Sequence, residues 1–119
     1  MTRILIKRVY AAASKDDGLR ILVDRLWPRG VSKEAAALDF WAKEVAPTAP
    51  LRKWFDHRRE RFAEFARRYR LELTGSPALS DLSDYVGRSR ATLLFGAKDP
   101  AINHAVILAE VLEESRPDG

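Results

Sequence analysis

The chain has 119 residues, no cysteine, 46% hydrophobic and 32% charged residues, and a formal net charge of +4. That length suits a single domain, residues 1–119, which buries about two-thirds of its unfolded surface and needs no covalent staple. The composition excludes disorder, and the missing cysteines exclude a disulfide framework, a thiolate nucleophile, an iron-sulfur cluster and a cysteine zinc site.

The two histidines, His57 and His104, are too few for a dedicated transition-metal site, so no metal and no cofactor is expected. Charge is unevenly spread: residues 1–70 hold 17 Lys and Arg against 9 Asp and Glu (+8), and residues 71–119 hold 4 against 8 (−4). A basic stretch of this kind either draws phosphate-bearing partners through its summed field or is simply a solvated face. No apolar run approaches the length of a bilayer span, and MTRILIKRVY lacks a signal-peptide core. A cytoplasmic protein with no membrane partner is expected.

In chain order, Arg3 to Val9 and Leu19 to Leu26 read as strands, joined by the turn-rich stretch Ala11 to Gly18. The two are either antiparallel neighbours or parallel with another element between them. Ser32 caps a short helical stretch. Leu38 to Val45 fits both periods, and a strand is preferred because Pro47 and Pro50 close it and Thr48 then caps a helix, TAPLRKWF. Glu60 to Leu73 is the clearest helix, with Phe62, Phe65, Tyr69 and Leu73 on one face and Gly75 as its stop. A shorter helix follows from Pro77 to Val86, between Ser76 and Gly87. Ala91 to Ala97 is a buried strand, Ala101 to Glu114 a long helix, and Ser115 to Gly119 a frayed tail. The expected fold is a single compact α/β domain, a small and mostly parallel sheet flanked by helices.

Three segments could carry chemistry. DRLWPRGVSK places Arg25, Arg29 and Lys33 at the end of a strand and around a glycine turn, where cations and backbone N–H groups can hold an anion. Trp27 there is either a flat face for a ring or part of the core, and Arg25 in the structural alternative pairs with Asp24 or another carboxylate. FGAKDPAINHA leaves a strand and opens a helix carrying Lys98, Asp99, Asn103 and His104. A histidine near a helix N-terminus tends to be held neutral, suited to acid-base work, although Asp99 and Pro100 also read as an ordinary N-cap and first helical residue. APTAPLRKWFDH adds Arg52, Lys53 and His57. No P-loop, dinucleotide fingerprint, nucleophile elbow or RNA-binding signature is present.

Taken together, RVY, GLRILVDRLWPRGVSK, WAKEVAPTAPLRKWFDH, FAEFARRYRLEL and TLLFGAKDPAINHAVILAEVL resemble the YeaO-like family of small bacterial proteins, domain of unknown function 488, over residues 3 to 112. The resemblance implies a compact α/β fold in a prokaryotic cytosol and transfers no activity or cofactor. A wider branch of relatives carries a cysteine in the last strand and a Cys-His-Arg run at the last helix. Phe95, Asn103 and Ala105 stand at those cysteine and arginine positions here, and only His104 remains.

The leading expectation is a crevice of Arg25, Arg29, Lys33, Lys98 and Asn103 that binds a small anionic ligand bearing phosphate or carboxylate. If it is an enzyme, His104 is the general acid or base and Asp99 orients it. The alternatives are nucleic-acid binding through the basic helix Arg58 to Arg70, with six arginines against two glutamates, and an interaction protein or homodimer built on Trp41, Trp54 and neighbouring aromatics.

Overall fold

Four short strands frame the molecule: β1 (Ile4–Arg8), β2 (Leu19–Leu22), β3 (Phe40–Trp41) and β4 (Ala91–Phe95). The structure, a computed structural model, describes residues 4–115. All pairings are parallel and the order is β1-β4-β2-β3. The first two strands are thus parallel with β4 between them, the second of the arrangements the sequence left open. Five helices surround the sheet: α1 (Lys33–Ala36), α2 (Ala49–Phe55), α3 (Phe62–Leu73), α4 (Pro77–Val86) and α5 (His104–Ser115).

The continuous apolar runs in β2 and β4 follow from burial on both faces. Ile21, Val23, Leu93 and Phe95 point into the main core, which α2 to α5 complete through residues such as Leu51, Phe65, Leu82 and Leu108. Leu22, Leu94 and Val9 point the other way, into a smaller cluster under Ala36 of α1, Trp27, Val31, Leu38 and Trp41. Phe65, Tyr69 and Leu73 are the buried stripe of α3, as their spacing requires.

The caps explain where the helices start. Side chains of Ser32, Thr48 and Ser76 accept hydrogen bonds from the backbones of Ala35, Leu51 and Leu79, opening α1, α2 and α4. Several expected boundaries need correction. β2 stops at Leu22 rather than Leu26. Of the strand expected over Leu38 to Val45 only Phe40–Trp41 pairs, and Lys43–Val45 tightens into a 3-10 turn. Arg59–Arg61 is a 3-10 turn leading into α3. Ser115 belongs to α5; residues 116–119 of the expected tail and Arg3 of the first strand lie outside the described residues.

α5 starts at His104, not Ala101, and its cap is Asn103 rather than Asp99. Asn103 Oδ1 accepts from the N–H groups of Ala105 and Val106 at 2.9 and 3.3 Å. Asp99 Oδ1 instead closes a turn one step earlier, on the N–H groups of Ala101 and Ile102. The asparagine side chain also donates to the Asp99 carbonyl, so the two residues form successive turns before the helix begins.

The second sheet face carries a buried ionic cluster at the end away from the strand C-termini. Asp17, 5% exposed, accepts from Lys7, from Arg20 and from the Ser14 N–H, while Arg20 also donates twice to the Ala36 carbonyl. Thr92 Oγ1 donates to the Asp17 carbonyl from the middle of the sheet. Burial pushes the Asp17 carboxyl up, but the hydrogen bonds from Lys7, Ser14 and Arg20 outweigh it and the group sits below its ordinary value.

Candidate functional site

The chain leaving β2 runs on towards β3, whereas the chain leaving β4 enters α5, which packs back over β1. Adjacent parallel strands whose continuations diverge open a crevice at their C-terminal ends, the preferred ligand position in such sheets. A cavity of about 530 Å³ lies there, lined by the segment Asp24 to Arg29, by Gly96, Ala97, Asn103 and His104, and by Ala46, Pro47, Arg52, Phe55, His57 and Phe65. Its volume falls within the range of small-molecule sites.

Asp24 ties the cavity wall together. Its carbonyl accepts from Trp41 Nε1 at 2.8 Å, and its Oδ2 accepts from the Gly96 N–H at 2.8 Å. Its Oδ1 is buried without a hydrogen bond, 3.3 Å from His104 Nε2. That same nitrogen lies 2.9 Å from the Val23 carbonyl oxygen. A carbonyl can only accept, so Nε2 carries the proton, and in the neutral ring Nδ1 is the free acceptor. The imidazole stands edge-on to Tyr69, whose buried hydroxyl donates to the Val45 carbonyl at 2.6 Å. Burial, reinforced by the charges of Glu72 and Asp24, pushes the Tyr69 phenol far above its ordinary range, so it stays neutral.

The cations have different degrees of freedom. Arg25 Nη2 donates to the Ala46 carbonyl at 3.1 Å and Nη1 lies 3.9 Å from Glu44, but Nε is buried with no partner. A buried donor left unmade costs about 1–3 kcal/mol, and few are tolerated without cause. Arg29, Arg52 and His57 are exposed around the opening. His57 follows the α2 cap residue Asp56, and both occupy the left-handed region, with φ of 54° and 52°. The two together turn the chain sharply where it meets the crevice.

The family model described as the inactive DUF488-N3 subclade matches residues 3–118. The chain belongs to the DUF488 family. It is 44% identical to the uncharacterized protein YeaO of Escherichia coli (strain K12), over 92% of this chain and 96% of that one. It is 45% identical to the uncharacterized protein Rv3073c of Mycobacterium tuberculosis (strain H37Rv), and equally to Mb3100c of Mycobacterium bovis, over 93% of this chain and 94% of each relative. No solved structure matches it.

In this DUF488 chain Arg25, Arg29, Asn103 and His104 meet at one cavity although they come from separate segments. Lys33, on α1, and Lys98 are exposed and lie outside the lining, as does Asp99. The carboxylate beside His104 is Asp24; Asp99 faces Arg59 at 3.4 Å and caps its own turn. Asp24 went unassigned because its partners Gly96 and His104 are more than 70 residues away, a proximity only the β2-β4 pairing creates. Arg52 carried a signal, a cation on a capped helix, and His57 one as a titratable group just beyond it, but nothing tied them to the other two segments. Among the described residues no group of three or more His, Cys, Asp and Glu could hold a metal ion, and no helix is long and apolar enough to cross a membrane.

The six arginines of the basic helix are each engaged within the chain. Arg67 and Arg68 share Glu64, whose carboxyl they hold down at about 2. Arg70 bridges to Glu110 and Glu114, Arg58 to Asp56 and Glu60, and Arg59 to Asp99. Arg61 donates to the Trp54 carbonyl and, with Arg68, covers the Trp54 ring. Trp41 is half-buried beneath Lys43, so neither tryptophan expected at a dimer interface forms an open apolar patch.

Proposed function

We propose that the crevice at the ends of β2 and β4 binds a small anion, bearing phosphate or carboxylate, through Arg25, Arg29 and Arg52, with Asn103 and His104 shaping its wall. One observation carries the reading. Three guanidinium groups line a cavity whose sole carboxylate, Asp24, is already directed at the Gly96 N–H and His104. Arginine suits the task because its planar fork meets carboxylate and phosphate oxygens in pairs.

The reading is one of binding, with no catalytic step assigned. The lining residues include no Ser, Thr, Cys, Lys or Tyr to act as nucleophile, and the Nε2–H of His104 is spent on the Val23 carbonyl, which leaves Asp24 Oδ1, His57 and His104 Nδ1 as the groups able to take a proton. The description of the matching subclade as inactive supports the same reading. Lys33 and Lys98 contribute at most to the field that draws an anion in.

Arg29 is exposed at the opening, so Arg29→Gln removes a cation without disturbing the core. Titration calorimetry with small carboxylates and phosphates should show binding to the native chain, weakened about tenfold or more in Arg29→Gln. Binding unaltered by this change, or no binding by any member of either class, overturns the reading.

A further inference from the structure

We infer that the anion is carried on an apolar, ring-sized body, as in an aryl carboxylate, and is neither a simple oxyanion nor a sugar phosphate; this rests on the anion-binding reading above. The cavity of about 530 Å³ is far larger than an inorganic ion requires, and its interior is aromatic. Phe55 and Phe65, both buried, stack at 4.2 Å with planes 15° apart, and Trp27, Pro47 and Leu26 complete the apolar lining. The exposed Arg29 and Arg52 stand around the opening, with Arg25 half-buried. A ligand with an apolar end and a charged end therefore enters ring first and leaves its charge among the guanidinium groups.

The polar atoms inside argue against a hydroxyl-rich ligand. Asn103 spends its oxygen on the N–H groups of Ala105 and Val106 and its amide on the Asp99 carbonyl. Asp24 Oδ2 holds the Gly96 N–H, and His104 Nε2 holds the Val23 carbonyl. The atoms left unmet, Asp24 Oδ1, Arg25 Nε and His104 Nδ1, can serve one or two hydroxyls but not the several of a sugar ring, and the remainder would lose water without gaining partners, which is costly. An aromatic ring loses nothing there and gains contact with other rings.

The experiment is calorimetric titration of the full chain with 1-naphthoate, acetate, inorganic phosphate and the neutral 1-naphthamide. The naphthoate should bind at least tenfold tighter than each of the other three. Leu26→Ser, at a residue 68% exposed and therefore safe for folding, should weaken naphthoate severalfold and leave acetate unchanged. If acetate or phosphate binds as tightly as naphthoate, the ring requirement falls while the anion site stands. If the amide binds as tightly as the acid, the charge requirement falls, and the anion-binding reading falls with it. Absence of binding by all four overturns both.

Discussion

Gly96 and Asp24 set the geometry of the crevice at the scale of single residues. A Cβ added at Gly96 would lie 3.0 Å from Asp24 Oδ2, the oxygen that accepts the Gly96 N–H, and that neighbour is a fixed carboxylate. Gly96→Ala should push the carboxylate away, breaking that hydrogen bond and disturbing the contact with His104, at a cost of about 1–3 kcal/mol in urea unfolding. In an Asp24→Ala background the same substitution should cost much less, because the group it collides with is gone. Equal losses in the two backgrounds would show that Gly96 acts through something other than Asp24. At this scale the sequence reveals residue types but not partners. Arg25 was a reasonable mate for the adjacent Asp24, yet each is taken by partners distant in sequence, Arg25 by the Ala46 carbonyl and Asp24 by the Gly96 N–H and His104.

The elements were legible wherever periodicity and caps agreed. Thr48 and Ser76 mark the starts of α2 and α4, and the spacing of aromatics marks α3. The start of α5 was not legible, because Asp99-Pro100 and Asn103-His104 are both good openings and tertiary contacts chose the second. Starting at His104 lets the ring reach the Val23 carbonyl and sends Ala105 and Leu108 into the core. The choice can be tested by stability. Asn103→Ala should lose about 1 kcal/mol or more, and Asn103→Asp should recover only part of it: aspartate also accepts from the second and third helical N–H groups, but it cannot donate to the Asp99 carbonyl and puts a carboxylate at a position only 2% exposed. Asp99→Ala should cost less than Asn103→Ala, as its carboxylate serves only a turn and an exposed pair with Arg59. The reverse order in thermal melts would restore Asp99 as the cap. β3 was overestimated for a related reason: Leu38, Phe40 and Ala42 alternate, but partner strand β2 pairs with only Phe40 and Trp41 before the two chains separate around the crevice.

The parallel order β1-β4-β2-β3 makes the whole molecule a device with two ends, a crevice at the strand C-termini and a buried ionic cluster near their other end. Class and a mostly parallel sheet could be read from the sequence; the relation of the first two strands and the strand order could not, because nothing local says that the last strand slides between the first two. The distribution of charge was similarly deceptive. Two arginines of residues 1–70 pair with carboxylates of the acidic remainder, Arg59 with Asp99 and Arg70 with Glu110 and Glu114, while others in the stretch are paired within it, as Arg67 and Arg68 are with Glu64.

The ionic cluster predicts how the molecule responds to acid. The Asp17 carboxyl lies below its ordinary value of 3.8 in the folded chain, and those of Glu64 and Glu114 also lie low. Between the folded and unfolded values the unfolded chain binds more protons, so stability rises with pH there. The stabilisation is fully present above about pH 5 and is lost as pH falls through and below 4 towards the folded values. Exposed Glu64 and Glu114 contribute little in salt, leaving Asp17 as the main term. Asp17→Asn should therefore have two effects. At pH 7 it leaves Arg20, only 4% exposed, facing a neutral amide, at a cost of about 3 kcal/mol or more. Below pH 4 the difference from the native chain should shrink, since the native carboxyl is itself then taking up its proton. Urea midpoints at pH 7, 5, 4 and 3 check both effects; a gap between the two proteins that stays constant down to pH 3 would remove Asp17 as the source of the acid response.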